Sequence, residues 1–301
     1  MWSILSIIAC GPAQETDPSE NSDTQLPSEY IYDDTDVIVP DQTPEALAAG
    51  VETALERALA FTPGPLFDAY ALAMEGQSDN CPNMYADGDA YFWSDQCTSD
   101  DGTYFSGYSY AQEGTEYGDE ADASYKSFYS AATITNANGY TFNGAGGVYD
   151  YVATTEFETS HYWNIRGAFS SDEPSLLDSW LAENANPDIE ASVYINSQYP
   201  TASLDIRLDG GFSPLSETLV AVSFDDFHWA EWTTCLGEPG GSISLRSEDG
   251  LWYDILFDNV IEWDDEQPTT EECDGCGTAY YLGEPVGQVC PNFDVLAEVT
   301  P

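Results

Sequence analysis

The chain reads as a mainly β protein built on a large antiparallel meandering sheet, a sandwich or an open barrel, with one or two helices at its N-terminal end. Three observations predict this. Beyond Gly76, aromatic and β-branched residues alternate with Ser, Thr, Asn and Asp at a period of two, the pattern of strands with one buried and one wet face. Gly- and Asn-rich turns separate many of these runs, and no long helical pattern interrupts them. Helical spacing is confined to residues before Gly76 and to one short stretch around Leu176, Leu177 and Trp180. With 42% hydrophobic and 14% aromatic residues in 301 positions, the chain can bury a core and fits one large β domain or two ordinary ones.

At the N-terminus, Met1-Trp-Ser-Ile-Leu-Ser-Ile-Ile-Ala9-Cys10 is a short apolar run with a small residue immediately before a cysteine, the layout of a signal peptide and its cleavage site. Ile7-Ile8-Ala9-Cys10 resembles the bacterial lipobox, in which the cysteine thiol is diacylated and becomes the first residue of the mature chain. That resemblance implies a signal peptide over residues 1–9, a palmitate-type acyl anchor on Cys10 and an oxidising compartment. The alternative is a short buried strand or helix starting at Trp2. A membrane-spanning helix needs about 20 apolar residues, and no stretch reaches that, so a lipid anchor is expected instead of a span. From residue 11 to 42 the chain has nine acids and no base. So polar and charged a segment cannot bury enough surface to order itself, which predicts a disordered acidic tether over residues 10–42. The apolar patch Val37-Ile38-Val39 is a possible edge strand within it.

Residues 43–76 predict a helical segment packed on the β domain. Thr43-Pro44-Glu45 supplies a capping hydroxyl, a proline for the first helical position and an acid for the positive end of the dipole. Leu47, Val51, Ala54, Leu55 and Ala58 follow on one face. Thr62-Pro63-Gly64-Pro65 ends this helix, and Leu66, Phe67, Tyr70, Ala73 and Met74 fit a second that Gly76 stops. The β domain is expected over residues 77–301. Its strands are predicted at 103–111, 124–135, 139–142, 148–152, 157–165, 191–195, 204–208, 219–224, 243–245 and 252–257, with a short helix at 175–183. No repeat of fixed period is present, which disfavours a solenoid.

The chain has seven cysteines. If Cys10 is acylated, an even six remain, and in an oxidising compartment these read as three disulfides. Cys81 and Cys97 bracket a Tyr91-Phe92-Trp93 run that can turn back on itself. Tyr280-Tyr281 and Val286–Val289 flank Gly283-Glu284-Pro285 as a hairpin, which would bring Cys276 to Cys290 and leave Cys235 for Cys273. The alternative is a four-thiolate zinc site at Cys235, Cys273, Cys276 and Cys290, because Cys273-Asp-Gly-Cys276 resembles a zinc knuckle. Cys81-Pro82, Cys97-Thr-Ser-Asp-Asp-Gly102, Cys235-Leu-Gly237 and the Cys273 to Cys290 stretch, with the lipobox and the acidic tether, resemble uncharacterised acidic, cysteine-containing bacterial lipoproteins of myxobacterial type. The resemblance implies an outer-envelope location and a β-rich domain, and no activity.

Charge decides what the protein does not bind. With 55 Asp and Glu against 5 Lys and Arg, the formal net charge is −50, which excludes nucleic acid, since phosphate backbones need a positive footprint. It also disfavours anionic lipid head groups. Self-repulsion on this scale calls for screening by salt or cations. No cofactor is expected. Calcium is the first candidate ion, although Asp87-Gly-Asp89 and Ser99-Asp100-Asp101-Gly102 lack the alternating ligands of an EF loop, and zinc is the second. Nucleophile-elbow, phosphate-loop and zinc-protease signatures are absent. His161 and His228 stand beside carboxylates in strand-like sequence and read as ordinary strand histidines, with no catalytic residue assigned. Aromatic runs such as Tyr104-Phe105-Ser-Gly-Tyr108-Ser-Tyr110 and Phe227-His-Trp229-Ala-Glu-Trp232 read as core, although exposed rings beside polar groups would hold a sugar or peptide. The expected function is a non-enzymatic structural or binding lipoprotein of the outer membrane, on its periplasmic or cell-surface face, with a protein or glycan partner. A sugar-, lipid- or calcium-binding surface protein is the second expectation and an envelope hydrolase the third.

Overall fold

The computed structural model describes residues 39–60, 62–117, 122–156, 158–171, 188–198, 203–231, 237–258 and 274–299. Residues from Pro40 onward belong to one compact unit. Cys10 and nearly all of the expected tether, the helix expected at 175–183, Trp232, Cys235 and Cys273 lie outside the described residues. No helix among the described residues is long and apolar enough to cross a membrane.

Two helices come first, α1 (Pro44–Ala60) and α2 (Gly64–Met74). The start of α1 is capped as the sequence predicts: the Ala46 N–H donates to Thr43 Oγ1 at 3.3 Å and the Leu47 N–H to the Thr43 carbonyl at 2.9 Å. Gly64 and Pro65, expected only to end α1, also open α2. Proline is favoured in a first helical turn because its missing N–H would have no partner there.

The rest is one antiparallel meander of thirteen strands in sequence order. They are β1 (Met84–Asp87), β2 (Ala90–Thr98), β3 (Tyr104–Tyr117), β4 (Asp122–Thr135), β5 (Thr141–Thr154), β6 (Glu158–Ser171) and β7 (Asp188–Gln198). Then follow β8 (Ser203–Ser213), β9 (Leu219–Ala230), β10 (Gly240–Ser247), β11 (Trp252–Asp258), β12 (Gly277–Tyr281) and β13 (Glu284–Val289), with a final short helix α3 (Asp294–Ala297). The fold is mainly β, as the alternation requires. The sheet is not closed into a barrel by any pairing among the described residues, with β1 and β13 at its ends.

One face of the sheet is the core face, and both helices pack on it. Helix α1 meets β7, β10 and β13, while α2 meets β4 and β5. Leu47, Val51, Ala54 and Leu55 of α1 are fully buried there; burial of each large side chain stabilises by about 1.5–3 kcal/mol. From α2, the Tyr70 ring stacks on Phe128 with centroids 4.8 Å apart, and its hydroxyl accepts from Ser109 Oγ at 2.8 Å. Arg57, on α1, donates to the carbonyls of Pro214 and Leu215 at 2.6 and 2.7 Å and lies over the Phe212 ring. It thereby ties α1 to the β8–β9 connection, and burial pulls its guanidinium below the usual range.

Three sequence expectations are corrected. The strands expected at 139–142 and 148–152 are one strand, β5, since the intervening glycines are sheet interior and not a turn. A Cβ on Gly146 would stand 2.0 Å from the Arg166 carbonyl oxygen of the neighbouring strand, so that crossing admits only glycine. The Tyr91-Phe92-Trp93 run is not a turn but lies within the first half of β2, paired on both sides. Finally, Cys276 and Cys290 are joined in a disulfide, so the four-thiolate zinc alternative loses two of its ligands.

Candidate functional site

The disulfides brace both ends of the sheet. Cys81–Cys97 ties the entry of β1 to the end of β2, and Cys276–Cys290 closes the β12–β13 hairpin. Both pairings are those expected from the sequence. Cys235 and Cys273, expected as the third pair, lie outside the described residues.

Each histidine hydrogen-bonds a carboxylate of the neighbouring strand. His161, on β6, is 2.7 Å from Asp150 Oδ1 of β5 and packs on Trp163. His228, on β9, is 2.8 Å from Asp205 Oδ1 of β8, and Arg207 Nε donates to the same oxygen at 3.4 Å. Burial pushes the Asp205 carboxyl up, but the His228 hydrogen bond and the charges of His228 and Arg207 outweigh it and hold the group below the usual range. A hollow of about 460 Å³ beside Asp150 is lined by Glu113, Thr115, Ser124 and Lys126. Among the described residues, no group of three or more His, Cys, Asp or Glu side chains is placed to hold a metal ion.

The outer face of β2–β6 is different in kind. In this region Trp93, Phe105, Ser109, Phe128, Ser130, Ala132, Ile134, Phe142, Val148, Trp163, Ile165 and Phe169 are buried at one parity, and of the side chains at the other only the small Ala90 and Ala123 are buried. Side chains alternate across a pleated strand, so the intervening positions point outward, and register aligns them in cross-strand rows. One row is Gln96, Ser106, Thr133, Asn143 and Ser170; the next is Ser94, Tyr108, Ala131, Ala145 and Ala168. A third is Phe92, Tyr110, Tyr129, Gly147 and Arg166, with Tyr85 of β1 at its end. Two more run Gln112, Ser127, Tyr149, Asn164 and Gly114, Tyr125, Tyr151, Tyr162.

None of these positions is an Asp or Glu, but carboxylates border them: Asp87 of β1 stands opposite Ala90 at the end of the Gln112 row, and exposed Glu116 begins the next outward row, close enough to help raise Tyr149. Exposed acids also occupy outward positions in the other half of the sheet, as Asp209, Asp225, Asp254 and Asp258. Among the aligned rows Tyr85, Phe92, Tyr108 and Tyr129 are exposed at 37–65%. Tyr108 and Tyr129 lie nearly parallel, centroids 5.7 Å apart, and Phe92 contacts Tyr110 at 4.8 Å.

Polar groups on this face are held in place by one another. Thr133 Oγ1 donates to Asn143 Oδ1 at 2.8 Å and Asn143 Nδ2 to Ser170 Oγ at 3.2 Å. The Tyr110 hydroxyl donates to Gln112 Oε1, whose amide donates to the Tyr125 hydroxyl at 3.0 Å. The phenols stay neutral: the hydrogen bond with Tyr129 raises Tyr108, and burial with neighbouring tyrosines raises Tyr110 and Tyr149. A shallow hollow of about 510 Å³ is lined by Ser106, Thr133, Asn143 and Ser170 together with Ala131, Ala145 and Ala168 of the next row.

Sequence reasoning divides these aromatics wrongly. Phe105, Phe227 and Trp229 are core, as expected, but Tyr108 belongs to the exposed face, because a period-two run supplies both faces at once. A signal for the face does exist: residues 123–149 contain no Asp or Glu. Fold and face together define a class, a disulfide-braced antiparallel meander with one aromatic, hydroxyl- and amide-bearing surface. Comparison of the chain with protein-family models, curated proteins and solved structures found no match.

Proposed function

We propose that this protein is a non-enzymatic binding lipoprotein of the bacterial outer envelope, anchored through Cys10, whose ligand is engaged by the outer face of β2–β6. The observation that carries the reading is that face itself. Exposed rings and ordered hydroxyl and amide groups stand together over five cross-strand rows of β2–β6, with the carboxylates Asp87 and Glu116 only at their border. A contiguous exposed patch of this kind on a soluble domain marks an interaction surface, and rigid tyrosines give large contact area at low entropic cost. The acidic tether would give the domain reach, and the remaining acidic surface would keep it soluble and discourage non-specific contacts.

The test is hydroxyl-radical footprinting of tyrosines in intact cells and on detergent-extracted protein. Tyr108 and Tyr129 should be protected in the intact envelope and become labelled on extraction, while Tyr140, exposed outside the aligned rows, is labelled in both. Equal labelling of Tyr108 and Tyr129 in the two states would refute the reading. Mass spectrometry of the native protein should also show acyl chains on an N-terminal Cys10.

A further inference from the structure

We infer that the ligand of this face is a neutral polysaccharide, an inference that rests on the binding face proposed above and adds the chemistry of its occupant. Three physical arguments select it. A pyranose ring presents an apolar face of C–H groups with slight positive character, which complements the negative face of an aromatic ring. Its rim of hydroxyls both donates and accepts. The face offers that combination, since half-exposed Tyr108 stands opposite Ala131, which lines a shallow hollow together with Ser106, Thr133, Asn143 and Ser170, and Tyr129 lies against Tyr108. Hydroxyls and a side-chain amide can answer sugar hydroxyls as donor or acceptor without charge.

Charge then separates neutral glycans from the alternatives. An acidic polysaccharide would approach a molecule of formal charge −50 at a surface with Arg166 as its sole cation among the aligned rows, and long-range repulsion would oppose it. A cationic polymer would be drawn to the carboxylates around the rows, Asp87 and Glu116 among them, and away from the rings and hydroxyls at their centre. A second copy of the chain fits poorly, because self-association brings two such charges together. The hollow's outward residues are also small and polar, where the buried core of a homodimer interface is predominantly apolar. Anionic membrane surfaces are disfavoured by the same charge.

Affinity electrophoresis of the detergent-solubilised full-length protein tests this, in native gels containing dextran, hydroxyethyl cellulose or polygalacturonate. Retardation is expected in at least one neutral gel and not in polygalacturonate. Tyr108→Ala and Tyr129→Ala should each weaken it by about tenfold, the scale of one lost aromatic contact. Tyr108→Phe should retain most of it, since the ring remains. Unchanged thermal melting would show that the alanine variants are folded. Migration unaffected by both neutral polymers, retardation as strong in polygalacturonate, or retardation indifferent to both alanine substitutions would overturn the inference. So would a concentration-dependent dimer in sedimentation that Tyr108→Ala abolishes. If Tyr108 and Tyr129 are protected in the envelope but no neutral polymer retards the protein, the binding face stands and only its assignment to neutral glycans falls.

Discussion

Glu238 is a buried acid that the fold holds against its ordinary chemistry. It is 2% exposed, in the connection between β9 and β10, and its Oε2 accepts from the Gly275 N–H at 2.9 Å. Burial, aided by the nearby carboxylates of Asp258 and Asp274 and opposed by the Gly275 hydrogen bond, pushes it up to about 7. A carboxyl raised in the folded state holds its proton where the unfolded chain has lost it. Its stabilising contribution is therefore complete below the unfolded value and lost as pH rises through about 7. The shift corresponds to at most about 3 kcal/mol. Unfolding by urea between about pH 5 and about pH 8 should show stability falling with pH, and Glu238→Gln, which keeps the acceptor for Gly275, should flatten that slope. An unchanged slope would exclude Glu238 as its source. Tyr253, on β11, is raised in the same way where it meets the start of the folded unit. Its hydroxyl donates to Asp41 Oδ1 at 2.5 Å and accepts from the Asp41 and Gln42 N–H groups, with burial first and the Asp41 carboxylate next pushing the phenol up to about 12. Asp41 and Gln42, polar enough to read as the end of the tether, are thus part of the folded unit.

At the scale of elements, the two disulfides act where the sheet is least supported. Strand β1 is short and exposed along its whole length, so the Cys81–Cys97 bond is what holds its entry to β2. Closing a loop of this length is worth about 3 kcal/mol. The pair Cys81→Ser and Cys97→Ser should lower stability by about that amount, most visibly as faster hydrogen exchange in β1 and β2; unaltered exchange there would mean that pairing alone holds the edge. The elements themselves were legible to different degrees for physical reasons. Helix α1 was legible because its cap, first-turn proline and apolar stripe all coincide in a few residues. Strands β4, β8 and β11 were legible because one face is buried along them and alternation follows. Strand β1 was not, since a strand exposed on both faces alternates nothing. In β9 the pattern is broken by a bulge in which Asp226 takes a φ of 53° against Gly241, where a Cβ would stand 2.2 Å from the Asp226 carbonyl oxygen. Phe224 and Phe227 consequently both face the core, and His228 turns to the outer face, toward Asp205. The candidate site was least legible, because Tyr108 and Tyr129 become neighbours only through cross-strand register, which no local spacing encodes.

For the whole molecule, the distribution of charge is the governing fact. Five basic residues cannot neutralise 55 acids, and Arg57 is committed to the carbonyls of the β8–β9 connection. Of the described ion pairs, Lys126–Glu113 is exposed and spans 4.0 Å, a geometry worth little in water. The compact state therefore concentrates like charges that the unfolded chain can separate, and stability depends on how far each carboxylate sees the next. Electrostatic range is about 10 Å at 0.1 M salt and about 3 Å at 1 M, so added NaCl should raise the melting temperature continuously across that interval. Exposed acids stand on both halves of the sheet, Asp87, Glu113 and Glu116 on one and Asp209, Asp225, Asp254 and Asp258 on the other, so salt should slow amide exchange across the whole meander. Calcium chloride at equal ionic strength separates screening from binding: matching NaCl means screening alone, and a larger rise means specific sites. A melting temperature indifferent to both salts would show that repulsion does not limit this fold.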